Sequence, residues 1–191
     1  MKPIGVFYAT RQGHTQRVAE HVAATLHARG LETEVCNLRK QTEDVVFEDY
    51  TGVVLAASVH FGIHEYEMTK FVKQHRADLD AIPSAFISVN LTQAGAERST
   101  ATEEQRTKAA GLVESFLNDF SAKTGWHPKY VKAVAGALPY TKYNFVLRFF
   151  LKRCVAKSGW DMDTSRDHVY TNWPALDQFV DQFAAAVQLT H

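Results

Sequence analysis

Residues 4–15 of the chain read IGVFYATRQGHT, and this stretch decides the fold class. The short apolar run at 4–9 is typical of a strand that is buried on both faces. A polar loop follows at once, and after it the apolar residues Val18, Val22 and Leu26 recur at helical spacing. The stretch therefore predicts a strand, a loop and a helix in succession, with the loop at the carboxyl end of the strand.

The same alternation continues along the rest of the chain. Further strands are predicted at about 34–38, 53–57, 85–89 and 130–136. The helices that separate and follow them are predicted from apolar residues at helical spacing, namely Phe71 and Val72, then Ala109, Leu112, Val113, Phe116, Leu117 and Phe120, and finally Leu176, Phe179, Val180, Phe183 and Val187. Strands that alternate with helices in this way predict a parallel sheet covered on both faces.

The composition of the strands predicts their order in the sheet. The runs that begin at Ile4, Val53 and Ala85 are apolar throughout, as interior strands should be, whereas the second and fifth runs carry charged or polar residues that suit the edges. We therefore predict a doubly wound α/β fold whose five-stranded parallel sheet has the order 2-1-3-4-5. Ligands of such folds bind beyond the carboxyl ends of the strands. No linker divides the chain, so we predict one domain over residues 1–191.

Composition and charge exclude several classes of function. The 191 residues include 21 Lys and Arg against 21 Asp and Glu, so nonspecific binding to nucleic acid is not expected. No apolar stretch reaches the ~20 residues of a spanning helix, so any membrane contact is expected to be peripheral. The two cysteines, Cys36 and Cys154, are not spaced with histidines as zinc ligands. We expect reduced thiols in a cytosolic protein, and no metal site.

The loop after the first strand has the composition of an anion site. Thr10, Gly13 and Thr15 place hydroxyls and a turn-forming glycine at the start of a helix, where backbone N–H groups attract negative charge. The sequence here matches neither the GxGxxG motif of dinucleotide sites nor the GxxxxGK(S/T) motif of nucleoside triphosphate sites. A second interpretation remains open, in which Thr15 only caps the helix and Gly13 only turns the chain.

Two further loops are expected at the same edge of the sheet. Residues 58–64 follow the third predicted strand and residues 88–92 overlap the end of the fourth. The loops contain polar side chains such as His60, His64 and Asn90. Each of them, considered alone, is explained by the ordinary polarity of a surface loop. Their position beside the anion loop nevertheless makes them candidates for one shared site.

The pattern Thr-x-x-Gly-x-Thr after the first strand of such a fold resembles the FMN phosphate loop of flavodoxins. The resemblance implies an FMN cofactor. The phosphate loop would comprise Thr10, Arg11, Gln12, Gly13, His14 and Thr15. The flavin ring would be bordered by Ser58, Val59, His60, Phe61, Gly62, Asn90, Leu91 and Thr92. In this interpretation the Asn90 side chain hydrogen-bonds the edge of the ring.

The sequence beyond the fifth predicted strand resembles one branch of this superfamily, the flavodoxin-type, menaquinone-dependent protoporphyrinogen oxidases of bacteria. The residues that carry the resemblance are AGALPY at 135–140, KSG at 157–159, DT at 163–164 and YTNW at 170–173. It implies an enzyme of haem synthesis that uses FMN to oxidise protoporphyrinogen IX and passes the electrons to a membrane quinone. His60 and His64 are the candidates for a catalytic role.

Two other functions remain open on the same residues. The first is an electron-carrier flavodoxin that docks a protein partner, and the second is a general FMN-dependent quinone or nitro reductase. The sequence leaves the oligomeric state open, including a homo-oligomer.

The segment at 140–157 is strongly basic. It contains five lysines and arginines and no acidic residue, and its apolar positions predict an amphipathic helix within an insertion at 140–160. Basic and aromatic residues interleave in it, which suits a carboxylate-bearing planar substrate or an anionic membrane surface at the inner face of the cell membrane. The candidate residues are Phe145, Arg148, Phe149, Lys152 and Arg153. The alternative is a helix that only packs on the domain.

Overall fold

Five parallel strands form the central sheet of the chain, whose computed structural model describes residues 2–41, 44–138 and 167–189. The parallel strands are β1 (Ile4–Ala9), β2 (Thr33–Asn37), β3 (Gly52–His60), β5 (Ser84–Asn90) and β6 (Tyr130–Ala135). Their order is β2-β1-β3-β5-β6, and the short strand β4 (Ile63–His64) returns antiparallel to the end of β3. Because β4 is a hairpin arm, the five parallel strands in chain order are β1, β2, β3, β5 and β6, and their arrangement confirms the predicted order 2-1-3-4-5.

Helices cover both faces of this sheet. They are α1 (His14–Ala28), α2 (Tyr66–Gln74), α3 (Arg76–Ala81), α4 (Leu91–Glu97), α5 (Glu103–Thr124) and α6 (Trp173–Gln188), with a 3₁₀ turn at Phe47–Asp49. A small ribbon pairs β7 (Ala137–Leu138) with β8 (His168–Val169). No helix within the described ranges is both long and apolar enough to span a membrane.

Alternate residues of β1 show why the sheet needs two helical layers. Ile4, Val6 and Tyr8 belong to one core cluster, which includes residues of α1 and α6. Phe7 and Ala9 face the opposite cluster, which includes residues of α2 and α5. The period of two in a strand therefore divides one apolar run between two cores.

The long helix α5 is less buried than its apolar stripe predicts. Leu112 is 46% exposed, and the buried residues of α5 are Val113, Phe120 and Thr124. Val113 lies at the middle of the helix and the other two lie in its last two turns, where Phe120 belongs to the core cluster. The expected stripe was correct in its period but too long in its extent.

The sheet register sets the position of the site. Ala9 pairs with Ala57 of β3, and Ser58 pairs with Val89 of β5, so the carboxyl ends of β1, β3 and β5 lie side by side. Asn90 pairs in turn with Ala135 at the end of β6. Four loops therefore meet at one edge of the sheet.

The predicted inserted helix and its candidate residues Phe145, Arg148, Phe149, Lys152 and Arg153 lie outside the described residues.

Candidate functional site

The loop between β1 and α1 is curled by one hydrogen bond and one glycine. The Gly13 backbone N–H donates to the Thr10 Oγ1 over 3.1 Å, and Gly13 itself has a φ of 90° at the N-cap position of α1. Gly adopts this left-handed conformation without the steric cost that a Cβ brings. The loop thus turns back on itself at a helix N-terminus, which is the arrangement that binds anions.

Thr15 is the second residue of α1 and does not cap it. The N-cap position is occupied by Gly13 with no side-chain cap, so the interpretation of Thr15 as the helix cap is wrong. Thr15 is 1% exposed, and its hydroxyl oxygen is buried without a hydrogen-bond partner in the described part of the chain. A buried hydroxyl without a partner is costly, so this one marks the place where a ligand acceptor fits.

His14 is held in one tautomer by a short hydrogen-bond chain. The Thr171 hydroxyl donates to the Ala135 carbonyl over 2.7 Å, so at 2.8 Å it can only accept from the His14 Nε2–H. Burial and the charge of Arg17 lower the pKa of His14 to about 4, which keeps the ring neutral. Its buried Nδ1 therefore carries a lone pair, and no described residue donates to it.

A buried carboxylate, Glu65, ties two of the loops together. It accepts hydrogen bonds from the Ser58 hydroxyl at 3.0 Å and from the Arg11 Nε at 2.9 Å. Glu65 raises the pKa of the Arg11 guanidinium, first through its hydrogen bond with the Arg11 Nε and then through its opposite charge. Because Ser58 ends the buried part of β3 and Arg11 belongs to the anion loop, Glu65 fixes the two loops relative to each other.

Glu65 was not predicted as a site residue. The one signal in the sequence was an acidic residue next to His64, between a strand and a helix, and nothing in the spacing indicates that its side chain turns inward.

The hairpin turn at Phe61 and Gly62 forms one rim of the site. Both residues have positive φ, 51° and 79°, as in the two-residue turns that connect twisted antiparallel strands. Phe61 is the only residue other than glycine with positive φ in the described part of the chain, and its side chain is fully exposed. A left-handed conformation costs such a residue about 1–2 kcal/mol. Strain combined with an exposed aromatic ring indicates a functional rim.

Asn90 also lines the site and has structural partners of its own. Its Oδ1 accepts from the Gln93 N–H at 2.8 Å and caps α4, and its Nδ2 lies 3.4 Å from the Ser88 hydroxyl. Its backbone carbonyl accepts from the Gly136 N–H at 3.0 Å, which joins the end of β5 to the loop after β6. One amide hydrogen of the side chain remains for the predicted bond to a ring edge.

These loops enclose a cleft of about 460 Å³, called here the main cleft. This volume lies within the usual range of small-molecule sites. The residues that line it are Thr10, Arg11, Gln12, His14, Thr15, Ser58, Val59, His60, Phe61, Val89, Asn90, Leu91, Gly136, Ala137 and Leu138. Of the predicted cofactor residues, Gly13, Gly62 and Thr92 do not line the cleft; the two glycines occupy turns with positive φ, and Thr92 lies in the first turn of α4. Val89 and residues 136–138 also line the cleft and were not predicted as cofactor residues.

The two candidate catalytic histidines have different surroundings. His60 lines the main cleft, and burial lowers its pKa against the opposing effect of Glu65. Its Nε2 is 3.3 Å from a Glu65 oxygen, which is within ion-pair range, but the angles do not make a hydrogen bond.

His64 does not line the main cleft. It is 5% exposed, packs between the rings of Phe86 and Phe120, and has its Nε2 at 2.9 Å from the Ser88 hydroxyl. Burial and then the charge of Lys123 lower its pKa to about 4. His64 therefore behaves as a neutral core histidine.

The main cleft has the features that a phosphate monoester with an attached planar ring requires. The Thr15 hydroxyl without a described partner and the curled loop line the cleft, and so do Phe61 and His60. The residues present therefore fit FMN.

Comparisons with known proteins agree with this geometry. The family model described as a flavodoxin domain matches residues 5–165. Protoporphyrinogen IX dehydrogenase (quinone) of Escherichia coli strain K12 is 31% identical over 179 residues, which cover 94% of this chain and 93% of that protein. The protein of the same name from Leishmania major is 36% identical over 183 residues, which cover 94% of this chain and 74% of that protein. The predicted resemblance is confirmed.

Solved structures show the same fold at low sequence identity. A short-chain flavodoxin associated with a non-canonical PDU bacterial microcompartment matches with a TM-score of 0.50 and 15% identity, over 98% of this chain and 99% of that one. The rubredoxin oxygen:oxidoreductase of Desulfovibrio gigas matches with a TM-score of 0.50 and 8% identity, over 99% of this chain and 37% of that one. The chain therefore belongs to the flavodoxin domain family, in the branch that contains the protoporphyrinogen IX dehydrogenases (quinone).

Proposed function

We propose that the chain is an FMN-dependent enzyme that oxidises protoporphyrinogen IX to protoporphyrin IX and passes the electrons to a quinone. The substrate and acceptor are those in the names of its relatives, which align with nearly the whole chain. The observation that carries the cofactor is the buried Thr15 hydroxyl, which has no described partner and lies in a curled loop at a helix N-terminus.

Thr10, Gln12, Gly13, His14 and Thr15 would hold the phosphate of FMN, and Ser58 to Phe61 with Asn90 and Leu91 would border its ring. The bound flavin supplies the redox chemistry. The protein supplies orientation, since the Glu65 carboxylate binds both Ser58 and Arg11 and so fixes two of the loops that line the cleft. The His14 Nδ1 is an acceptor while the ring is neutral, so an approaching phosphate favours a proton there.

We further propose that His60 is the histidine that serves the reaction. It lines the main cleft, and burial favours its neutral form, so it can accept a proton. Its contact with Glu65 would stabilise the charge that the ring gains.

The basic segment at 140–157 is proposed to contact the substrate and an anionic membrane surface as part of one flavodoxin-like domain. Support comes from the sequence, which concentrates five positive charges in a chain of zero net charge. Each basic residue near an anionic lipid surface is worth about 1 kcal/mol, and less in high salt. Replacement of Arg148, Lys152 and Arg153 by Gln should then lower vesicle binding and leave bound FMN in place. Unchanged vesicle binding would support a helix that only packs on the domain.

The proposed function is tested by anaerobic reduction of the purified flavoprotein. Protoporphyrinogen IX should bleach the visible absorbance of the bound flavin, which carries the redox chemistry. Menaquinone should then restore it, with protoporphyrin fluorescence as the product signal. A parallel reaction with NADPH separates a general quinone reductase, which NADPH would reduce faster. Absence of bleaching by protoporphyrinogen, with FMN bound, would contradict the proposal.

A further inference from the structure

A second cleft of about 460 Å³ lies beside the main cleft, on the other side of the turn at Phe61. Arg11, His60 and Phe61 line both clefts, and the second one is also lined by residues along the length of α2 and by Lys123 near the end of α5. We call it the cationic cleft and define it by Arg11, Phe61, Ile63, Tyr66, Lys73 and Lys123.

The walls of the cationic cleft expose large apolar side chains. Ile63 is 58% exposed, Tyr66 is 70% exposed, and Phe61 is fully exposed on its strained turn. Apolar groups scattered singly over a surface are ordinary, but three around one concavity indicate a binding site for an apolar ligand.

The charge of the cationic cleft has one sign. Arg11, Lys73 and Lys123 come from three different elements, and no acidic side chain lines the cleft among the described residues. Neither lysine has an acidic partner within ion-pair distance in the described part of the chain. The Arg11 ion pair with Glu65 uses Nε, which leaves its two terminal amino groups for a ligand. The chemistry therefore fits a ligand that is broad, apolar and anionic.

We propose that the cationic cleft binds the carboxylates and part of the apolar ring of the tetrapyrrole substrate, adjacent to the main cleft that would hold FMN. This inference rests on the proposed function, since it specifies where that substrate binds. Porphyrinogens combine a wide apolar macrocycle with carboxylate side chains, which is the complement of three apolar walls and three cations. Because Arg11, His60 and Phe61 are shared, a ligand anchored in the cationic cleft lies next to the main cleft.

The test compares two double variants with the same change of charge on the same two helices. K73Q/K123Q removes two cations of the cationic cleft. K70Q/K108Q removes one lysine from α2 and one from α5 that do not line it, and Lys108 lies about 22 Å along the helix from Lys123. The FMN-loaded full chain is titrated in detergent micelles with protoporphyrin IX and, separately, with its dimethyl ester, which carries no carboxylate.

Exposed ion pairs are each worth a factor of about 1.4 to 5 in affinity, so loss of both lysines should weaken diacid binding about 2- to 29-fold. Wild type and K70Q/K108Q should bind the diacid more tightly than the ester, and K73Q/K123Q should bind the two with similar Kd. The KM for protoporphyrinogen should rise by the same factor, with kcat and FMN affinity unchanged.

Other outcomes separate this proposal from the proposed function. Normal turnover with equal Kd for diacid and ester in wild type, or an equal loss in K70Q/K108Q, would overturn the cationic cleft and leave the function standing. A lysine-dependent preference for the diacid without any turnover would support the cleft as a carboxylate site and contradict the function. If K73Q/K123Q lost binding to anionic phospholipid vesicles but kept the diacid preference, the cleft would be a lipid contact and the proposal would be wrong.

Discussion

Replacement of Thr15 by Val separates two effects of its hydroxyl, the cost of its burial in the apoprotein and the hydrogen bond that it would donate to FMN. The side chain is buried, and its oxygen has no partner in the described part of the chain. Valine has the same shape and removes the polar atom. A buried polar group without a partner costs about 1–3 kcal/mol. The Thr15→Val apoprotein should therefore be more stable than wild type by about 1 kcal/mol, which raises Tm by roughly 2–4 °C in a chain of this size.

The same substitution should weaken FMN binding. A hydrogen bond to a charged group contributes about 1.5–3 kcal/mol, so the Kd for FMN should rise about 10- to 150-fold. Titration of apoprotein into FMN, followed by quenching of flavin fluorescence, measures the Kd, and thermal melts of the same preparations measure stability. The two effects have opposite signs, which a simple loss of packing would not produce.

Thr25→Val is the matched control on the same helix. The Thr25 hydroxyl donates to the Asp177 carboxylate at 3.0 Å, far from the phosphate loop, so this variant should lose stability and keep its FMN affinity. If Thr15→Val destabilised the apoprotein and left the Kd for FMN unchanged, the hydroxyl would have a structural role and the phosphate assignment would be wrong.

Three further predictions use residues around the two clefts. Phe61→Gly should raise the unfolding free energy of the apoprotein by about 0.5–1 kcal/mol in urea, because it removes a phenylalanine with a left-handed backbone and no buried area. The same variant should slow turnover. A loss of stability would show that the exposed ring is covered. The pKa of His64 is lowered from 6.5 to about 4, so the contribution of the neutral ring to folding stability should be fully present above about pH 6.5 and should fall by about 3 kcal/mol toward pH 4. His64→Gln should flatten this part of the curve of unfolding free energy against pH. An identical slope in both proteins would refute the burial argument. Glu65→Leu should cost about 1–3 kcal/mol in unfolding free energy, because Ser58 loses its partner while the exposed Arg11 turns to solvent; a cost near zero would remove Glu65 as the tie between the loops.

The strand pattern could be predicted because burial on two faces leaves a direct mark on composition. The runs at Ile4, Val53 and Ala85 are continuous and apolar, and each became an interior strand. The edge strands carry residues such as Glu34 and Lys132, which one solvent-facing side accommodates. Order and layers follow from these facts without any long-range information.

The details of the site depended on contacts that one-dimensional patterns do not record. Glu65 and Ser58 are seven positions apart, and the inward turn of Glu65 results from the hairpin between them. The contact between His14 and Thr171 joins positions 157 apart in the chain. Within β4, Ile63 is exposed and His64 is buried in the core, because neighbouring strand residues face opposite sides. Loop position indicated the region of the site but not the direction of each side chain.

The central position of β1 has a consequence for how the protein folds. β1 precedes its neighbours in the chain, and its backbone pairs with β2 on one side and β3 on the other. Ile4 and Val6 also share a core cluster with Val187 of α6, the last described helix. Contacts between such distant positions require closure of nearly the whole chain, and they slow folding. This face of the sheet therefore has α1 but not α6 packed on it until α6 has been synthesised, and a nascent chain that stops before Trp173 exposes the part of the core that α6 covers.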